Sequence, residues 1–205
     1  DFMSHYMNGL LISQVWWANH AEALRFYKDK FLGGFARPFD HLEIGPGHGL
    51  LLYFAAEIPA CRTLEAWDVS EASVEKAEKA LQLLGLGKPV TMRTQDLFAA
   101  DASAARFDSI VFSEVLEHLD RPADALRIIR SLLKADGRLY INMPINSPAP
   151  DHLFLLRTPE AVVEFVESCG YTIEHSQFEP QTGMTLERAR RMEATISVLL
   201  IARPG

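Results

Sequence analysis

Three glycines at alternate positions, Gly45, Gly47 and Gly49, follow an apolar run containing Leu42, Glu43 and Ile44. A strand that breaks into glycine and turns straight into a helix lets backbone lie flat against a ligand, because glycine has no Cβ and reaches positive φ freely. The spacing is G-x-G-x-G. The dinucleotide fingerprint G-x-G-x-x-G would need glycine at position 50, which is Leu50. The loop therefore argues against NAD and for another nucleotide-like ligand, with Glu43, Gly45, Gly47 and His48 around it. About twenty residues on, Asp68 ends a second apolar run. That is the spacing at which a carboxylate accepts hydrogen bonds from two ribose hydroxyls, with Val69 and Ser70 flanking the nucleoside. The bland alternative for Asp68 is a negative charge at the amino end of the next helix.

These residues need elements that bring them to one place. Apolar patterning predicts strands near 40–44, 63–68, 89–94, 107–112 and 137–143, with helices between them near 49–57, 71–85 and 122–134. Ser70 reads as a helix start and Gly85 with Gly87 as its stop. Arg121-Pro122 opens a helix with proline in its first turn. Asp136-Gly137 reads as a turn into a buried strand. A further helix starts at Thr158-Pro159-Glu160 and ends by Gly170. Strands are expected at 171–178 and, strongly apolar, at 194–202. Residues 180–193 carry no core pattern. Such alternation predicts a parallel sheet with helices on both faces, with ligands beyond the carboxyl ends of the strands.

With Glu43 before its glycines, the segment 39–56 resembles the first motif of the class I S-adenosylmethionine-dependent methyltransferases. Asp68 in LEAWDVS resembles the family's ribose-binding acid. Asp96 in RTQDLF resembles the residue that accepts a bond from the adenine amino group, with Leu97 and Phe98 against the ring; the bland alternative is a turn aspartate. FDSIVFSEVLEHLDRP, over 107–122, resembles the segment after strand four in members that act on small molecules. There, backbone near Ser113 and Glu114 helps hold the methionine moiety. Leu116-Glu117-His118-Leu119 fits a pattern so widespread in the family that His118 reads equally as a supporting residue or a general base. The four matches cover residues 39–143 in order.

The resemblance implies a Rossmann-like, seven-stranded, mostly parallel sheet with an antiparallel last strand. It implies S-adenosylmethionine as cofactor and S-adenosylhomocysteine as product. Residues 1–35 would be an N-terminal helical extension and 36–205 the methyltransferase domain. Within the extension, 8–35 is amphipathic and aromatic-rich, with Trp16, Trp17, Phe26 and Tyr27 and a stripe of Leu10, Leu11, Val15 and Leu24. It reads either as packing on the domain edge or as a lid over the site.

Methyl transfer is an in-line displacement at a sulfonium that already carries the driving force. The protein must align the acceptor and exclude water. No metal is implied, and a base is needed only if the acceptor must lose a proton. His152, with Asp151, ends a proline-stiffened loop containing Pro144, Pro148 and Pro150. It is the first candidate for acceptor contact or base work, set against a histidine merely bonded to loop backbone. Asn142 and Asn146 either orient an acceptor or serve the turn.

Composition narrows the partners. With 205 residues, 48% apolar, the chain suits one domain with a full core. Its charge of −7 and lack of a basic run argue against nucleic acid. The chain has neither the N-P-P-Y type of segment nor the Pro-Cys pair of base-modifying methylators. Cys61 and Cys169 read as reduced, packed thiols. No run is long enough for a membrane span and no secretory signal is evident, so a cytoplasmic setting is expected. The chain opens on Asp1, as a domain cut from a longer protein would. A small-molecule acceptor, with secondary metabolism as the setting, is the expectation; the oligomeric state and the methylated element (O, N or C) stay open. A catalytically silent S-adenosylmethionine-binding module of a larger assembly is the alternative. A protein methyltransferase and a nicotinamide oxidoreductase are the remaining rivals, the latter opposed by Leu50.

Overall fold

The computed structural model describes residues 18–205 apart from Ala102 and Ala104. Among the described residues, seven strands form one sheet in the order β3-β2-β1-β4-β5-β7-β6. They are β1 Phe39–Ile44, β2 Cys61–Asp68, β3 Thr91–Thr94, β4 Phe107–Ser113, β5 Leu133–Ile145, β6 Tyr171–Pro180 and β7 Ile196–Pro204. Neighbours from β3 through β5 pair in parallel, while β7 runs antiparallel to both β5 and β6. This is the expected Rossmann-like sheet, last strand included. The order reverses between β1 and β4, which opens a crevice at their carboxyl ends.

Helices cover both faces. One carries α1 Ala18–Phe26, α2 Leu50–Ala56 and α3 Glu71–Leu83; the other carries α4 Pro122–Leu132, α5 Pro159–Ser168 and the short α6 Leu186–Arg191. Their starts are set by side chains: Ser70 Oγ accepts from the Ser73 amide at 3.3 Å, and Thr158 Oγ1 from the Ala161 amide at 3.1 Å. Pro122 and Pro159 occupy first-turn positions, where a missing N–H costs nothing. Gly85, at φ +72°, follows the end of α3 as expected.

Four local features depart from the sequence expectations. The Asp136-Gly137 turn lies inside β5. Phe107 and Ser109 of β4 face Leu133 and Arg138, so the intervening residues form a bulge. That bulge places Lys134 Nζ 2.8 Å from Asp108 Oδ2 and 3.1 Å from Asp40 Oδ2, joining the amino ends of β1, β4 and β5; Arg62 of β2 also pairs with Asp40. The third strand is shorter than expected and pairs only with β2, its four residues largely exposed. Helix α6 was invisible because its sequence LERARR buries only Ala189. Finally, α1 continues into a π-helical turn, Tyr27–Phe31.

That turn sets Tyr27 and Phe31, both fully buried, against Tyr140 of β5, with ring centroids 5.2 and 5.6 Å from it. Tyr27 and Tyr140 direct their hydroxyls to the carbonyls of Leu51 and Ala23, at 3.2 and 3.3 Å. Residues 18–35 of the extension are thus built onto the sheet. Leu10, Leu11, Val15, Trp16 and Trp17 lie outside the described residues.

Candidate active site

The glycine loop leaves the carboxyl end of β1 with all three glycines at positive φ, +70°, +52° and +76° for Gly45, Gly47 and Gly49. Each has a different surrounding. A Cβ on Gly45 would meet Val115, one on Gly49 would press on Leu81, and one on Gly47 would meet nothing within 4 Å. Gly45 donates its N–H to the Trp67 carbonyl at 2.8 Å, tying the loop to β2. Gly47 is therefore the position where backbone faces open space. Glu43 is buried beneath the loop, 2% exposed. Burial raises its carboxyl well above the usual range, with the Leu52 amide pulling the other way. His48 accepts from the Leu50 amide at 3.1 Å on Nδ1. Burial, with His20 nearby, lowers its pKa to about 4, so it is a neutral ring at the start of α2.

At the end of the adjacent strand, Asp68 is half-buried, and its Oδ1 accepts from the Ser70 amide at 2.8 Å. Desolvation raises its pKa, opposed by the Ser70 and Val69 amides. Next to it, the apolar side chain of Val69 is 72% exposed. The loop after β3 is held to this strand by the Gln95 amide, which donates to the Asp68 carbonyl at 2.8 Å. Asp96 there caps a 3₁₀ turn, accepting from the Phe98 amide at 2.9 Å. Leu97 turns into the core, which leaves half-buried Phe98 as the apolar surface of this loop; the Arg121 guanidinium lies 4.2 Å from its ring centroid.

Beyond β4, Glu114 takes φ +54° and donates its amide to the Asn142 carbonyl at 2.8 Å. Such a conformation is costly for a non-glycine residue and gathers at functional sites. Its Oε1 is enclosed and without a partner, and burial raises the carboxyl pKa to about 7, with Asn142 opposing. Asn142 Nδ2 also lies 3.4 Å from Ser113 Oγ. Glu117 is 1% exposed with neither carboxylate oxygen partnered; burial, then the charges of Glu114 and Asp151, hold its pKa well above normal.

The loop after β5 folds over this segment. Leu153 and Phe154 both donate their amides to the Glu117 carbonyl, at 2.7 and 2.9 Å. That brings His152 against His118, edge to face, with ring centroids 4.9 Å apart. His118 Nδ1 lies 3.0 Å from the Asp151 carbonyl, and His152 Nδ1 lies 2.6 Å from the Ser147 carbonyl. The two residues nominated separately from sequence are therefore one pair. Glu117 is the site residue that sequence reading passed over. The available signal was an acid at 114, a second acid one turn later at 117, and the adjoining His118.

Among known proteins, a family profile described as a methyltransferase domain matches residues 42–139. A ubiquinone biosynthesis O-methyltransferase of Neisseria meningitidis serogroup C is 30% identical over 127 residues, covering 61% of this chain and 52% of that protein. The chain thus spans about half the length of the curated relatives it matches. Among solved structures, the 4+2 cyclase SpnF superposes with a TM-score of 0.71 at 16% identity, covering 90% of this chain and 80% of that one. The 1,6-didemethyltoxoflavin-N1-methyltransferase of Burkholderia thailandensis, solved with its substrate and S-adenosylhomocysteine, gives 0.67 at 22% identity, covering 99% and 88%. The profile spans the glycine loop, Asp68, Asp96 and the segment after β4, so residues 42–139 match a methyltransferase domain, and the fold around them is that of the S-adenosylmethionine-dependent methyltransferases.

Proposed function

We propose that the chain binds S-adenosylmethionine across the carboxyl ends of β1, β2 and β4 and passes its methyl group to an O, N or C atom of a small metabolite. The observation that carries this reading is the pairing of an open, left-handed Gly47 with the half-buried Asp68 carboxylate on the next strand. Gly47 gives backbone access to a ligand, and Asp68 gives a two-oxygen acceptor for ribose hydroxyls. Val69 and Phe98 supply apolar surface for the adenine, and Asp96 an acceptor for its amino group. Ser113 and Glu114 face the methionine end. Glu43 and His48 support the loop from below and from the start of α2.

The acceptor belongs beside His118 and His152. Each ring has Nδ1 on a backbone carbonyl, which leaves Nε2 to receive a proton or a hydrogen bond from substrate. Leu153, 66% exposed, and Leu155 put apolar surface next to the pair, suited to a small, partly apolar acceptor and unsuited to nucleic acid. The O-methyltransferase names of the curated relatives make phenolic hydroxyls the first acceptor panel. We place the reaction in the biosynthesis of a secondary metabolite in the cytoplasm; among the described residues no helix is long and apolar enough to cross a membrane.

We keep residues 1–35 as an N-terminal helical extension or lid, with 36–205 as the methyltransferase domain. The support is the position of α1. Its first amide, of Ala18, bonds Thr182 Oγ1 at 2.8 Å, Asn19 bonds Ser197 at 3.0 Å, and His20 acts electrostatically on His48 of the glycine loop.

Calorimetric titration with S-adenosylmethionine, S-adenosylhomocysteine and NAD tests the reading. Binding of the first two and not NAD is the expected result; binding of neither would overturn it. A cyclase with this same fold favours a second reading, a cofactor-binding chain that transfers no methyl group. Turnover on an acceptor panel separates the two.

A further inference from the structure

We propose that a cleft on the β2–β3 face of the sheet binds a small aromatic carboxylate through Arg93 and Arg106. The cleft measures about 220 Å³ and lies between β2, β3 and the crossover that follows β3. That is below the roughly 300–1,000 Å³ of cofactor-sized pockets, so its occupant is smaller than S-adenosylmethionine. None of its lining residues is among those assigned above to cofactor or acceptor.

The cleft has a topological origin. A parallel crossover usually runs through a helix that covers the sheet. Between β3 and β4, over 95–106, the described residues include only one 3₁₀ turn, Leu97–Ala99. No crossover helix therefore covers the side on which Trp67 and its parallel partner Arg93 stand together. Arg106 takes over part of the covering: its guanidinium carbon lies 5.6 Å from the Trp67 ring centroid and 4.9 Å from that of Phe107.

The charges leave donors spare. Glu65 Oε1 accepts from Trp67 Nε1 at 2.7 Å and pairs with Arg93 Nε at 2.8 Å. That pairing leaves both terminal nitrogens of Arg93 to donate elsewhere. Arg106 forms no ion pair among the described residues. Asp101 at the rim senses its charge, but Asp101 Oδ1 is taken by the Ser103 amide at 2.9 Å. A guanidinium stacked on aromatic rings holds its edge donors in a fixed plane, which matches a flat carboxylate and offers its open face to a flat ring.

The cleft backs onto the proposed cofactor site, and this part of the inference rests on that reading. Trp67 immediately precedes Asp68. Gln95, which lines the cleft, donates its amide to the Asp68 carbonyl and its Nε2 to the Asp96 carbonyl, both at 2.8 Å. A carboxylate that fixes this crossover also fixes the proposed adenine wall, so each ligand strengthens binding of the other.

The test titrates the untagged full chain by calorimetry with benzoate and with its neutral analogue benzamide. Saturation at one benzoate per chain is expected. Benzamide should bind the parent at least about ten-fold more weakly, and R93L and R106Q should each lose at least about ten-fold for benzoate. R127L removes an exposed arginine of α4 and should bind as the parent does. Urea unfolding of each variant reports folding. No saturable benzoate binding, equal binding of benzamide, or binding that R93L and R106Q leave unchanged would overturn the proposal. With benzoate saturating, S-adenosylmethionine should bind about five-fold tighter or more, and equal affinity would overturn the coupling. Benzoate binding by a chain that binds no S-adenosylmethionine sinks the function proposed above and leaves the cleft standing; the reverse sinks the cleft alone.

Discussion

The Cβ that Gly45 lacks would fall 2.6 Å from Cγ2 of Val115, so the loops after β1 and β4 touch where only glycine fits. Gly45→Ala combines that overlap with a strained φ and should destabilise the fold by about 2 kcal/mol or more. Gly47→Ala meets nothing and should cost about 1 kcal/mol for its φ alone. Its larger effect should be on S-adenosylmethionine, whose proposed path along the loop the new methyl group would obstruct. Urea unfolding and cofactor titration on both variants check the contrast. Parental cofactor affinity in Gly47→Ala would remove the loop from the binding site.

Asp68→Ala should weaken S-adenosylmethionine binding by about 1.5–3 kcal/mol, the range for a hydrogen bond to a charged group. Calorimetry reads this directly. Unchanged affinity would mean that Asp68 only organises the start of α3 through Ser70.

His152→Ala should reduce turnover with cofactor affinity almost unaltered, because the ring lies in the loop after β5 and bonds only loop backbone there. Steady-state kinetics on the best acceptor, with cofactor titration alongside, make the comparison. Parental turnover would dismiss the residue from the chemistry.

Phe31 is fully buried against Tyr27 and Tyr140. Phe31→Ala should cost about 3–5 kcal/mol, as for other buried aromatics truncated to alanine. Chemical denaturation gives the value. A loss under 1 kcal/mol would mean that α1 and its π-helical turn are a detachable appendage and not part of the core.

His41 on β1 is fully buried, with Nδ1 2.8 Å from Ser109 Oγ and Nε2 without a partner. Burial lowers its pKa from 6.5 to about 3. The folded state then binds fewer protons than the unfolded chain at any pH below about 6.5. Its contribution is intact above that value and is lost progressively as pH falls toward 3, amounting to about 2 kcal/mol between pH 7 and pH 5. Denaturation at these two pH values should show that loss, and His41→Gln should reduce it. An identical pH response in the variant would exclude His41 as its source.

Much of the sheet was readable because its central and last strands are mostly apolar. The run from Phe107 to Phe112 and the last strand, Ile196–Pro204, have few other ways to bury themselves. Asp68 and the glycines stand out in the sequence because a nucleotide-like ligand would constrain residue type at such spacing. What escaped depends on contacts distant in sequence. The β5 bulge exists to bring Lys134 between Asp40 and Asp108. The meeting of His118 with His152 follows from two amides reaching back to the Glu117 carbonyl. Neither has a periodicity, and helix α6 has too little apolar surface to show one.

Lys134, Arg62, Asp40 and Asp108 clamp the amino ends of four neighbouring strands, at the opposite end of the sheet from the proposed site. Mutations that lengthen, shorten or rewrite the loop after β5 need not disturb that clamp. A lineage of such chains can therefore change its acceptor many times while the sheet beneath stays recognisable.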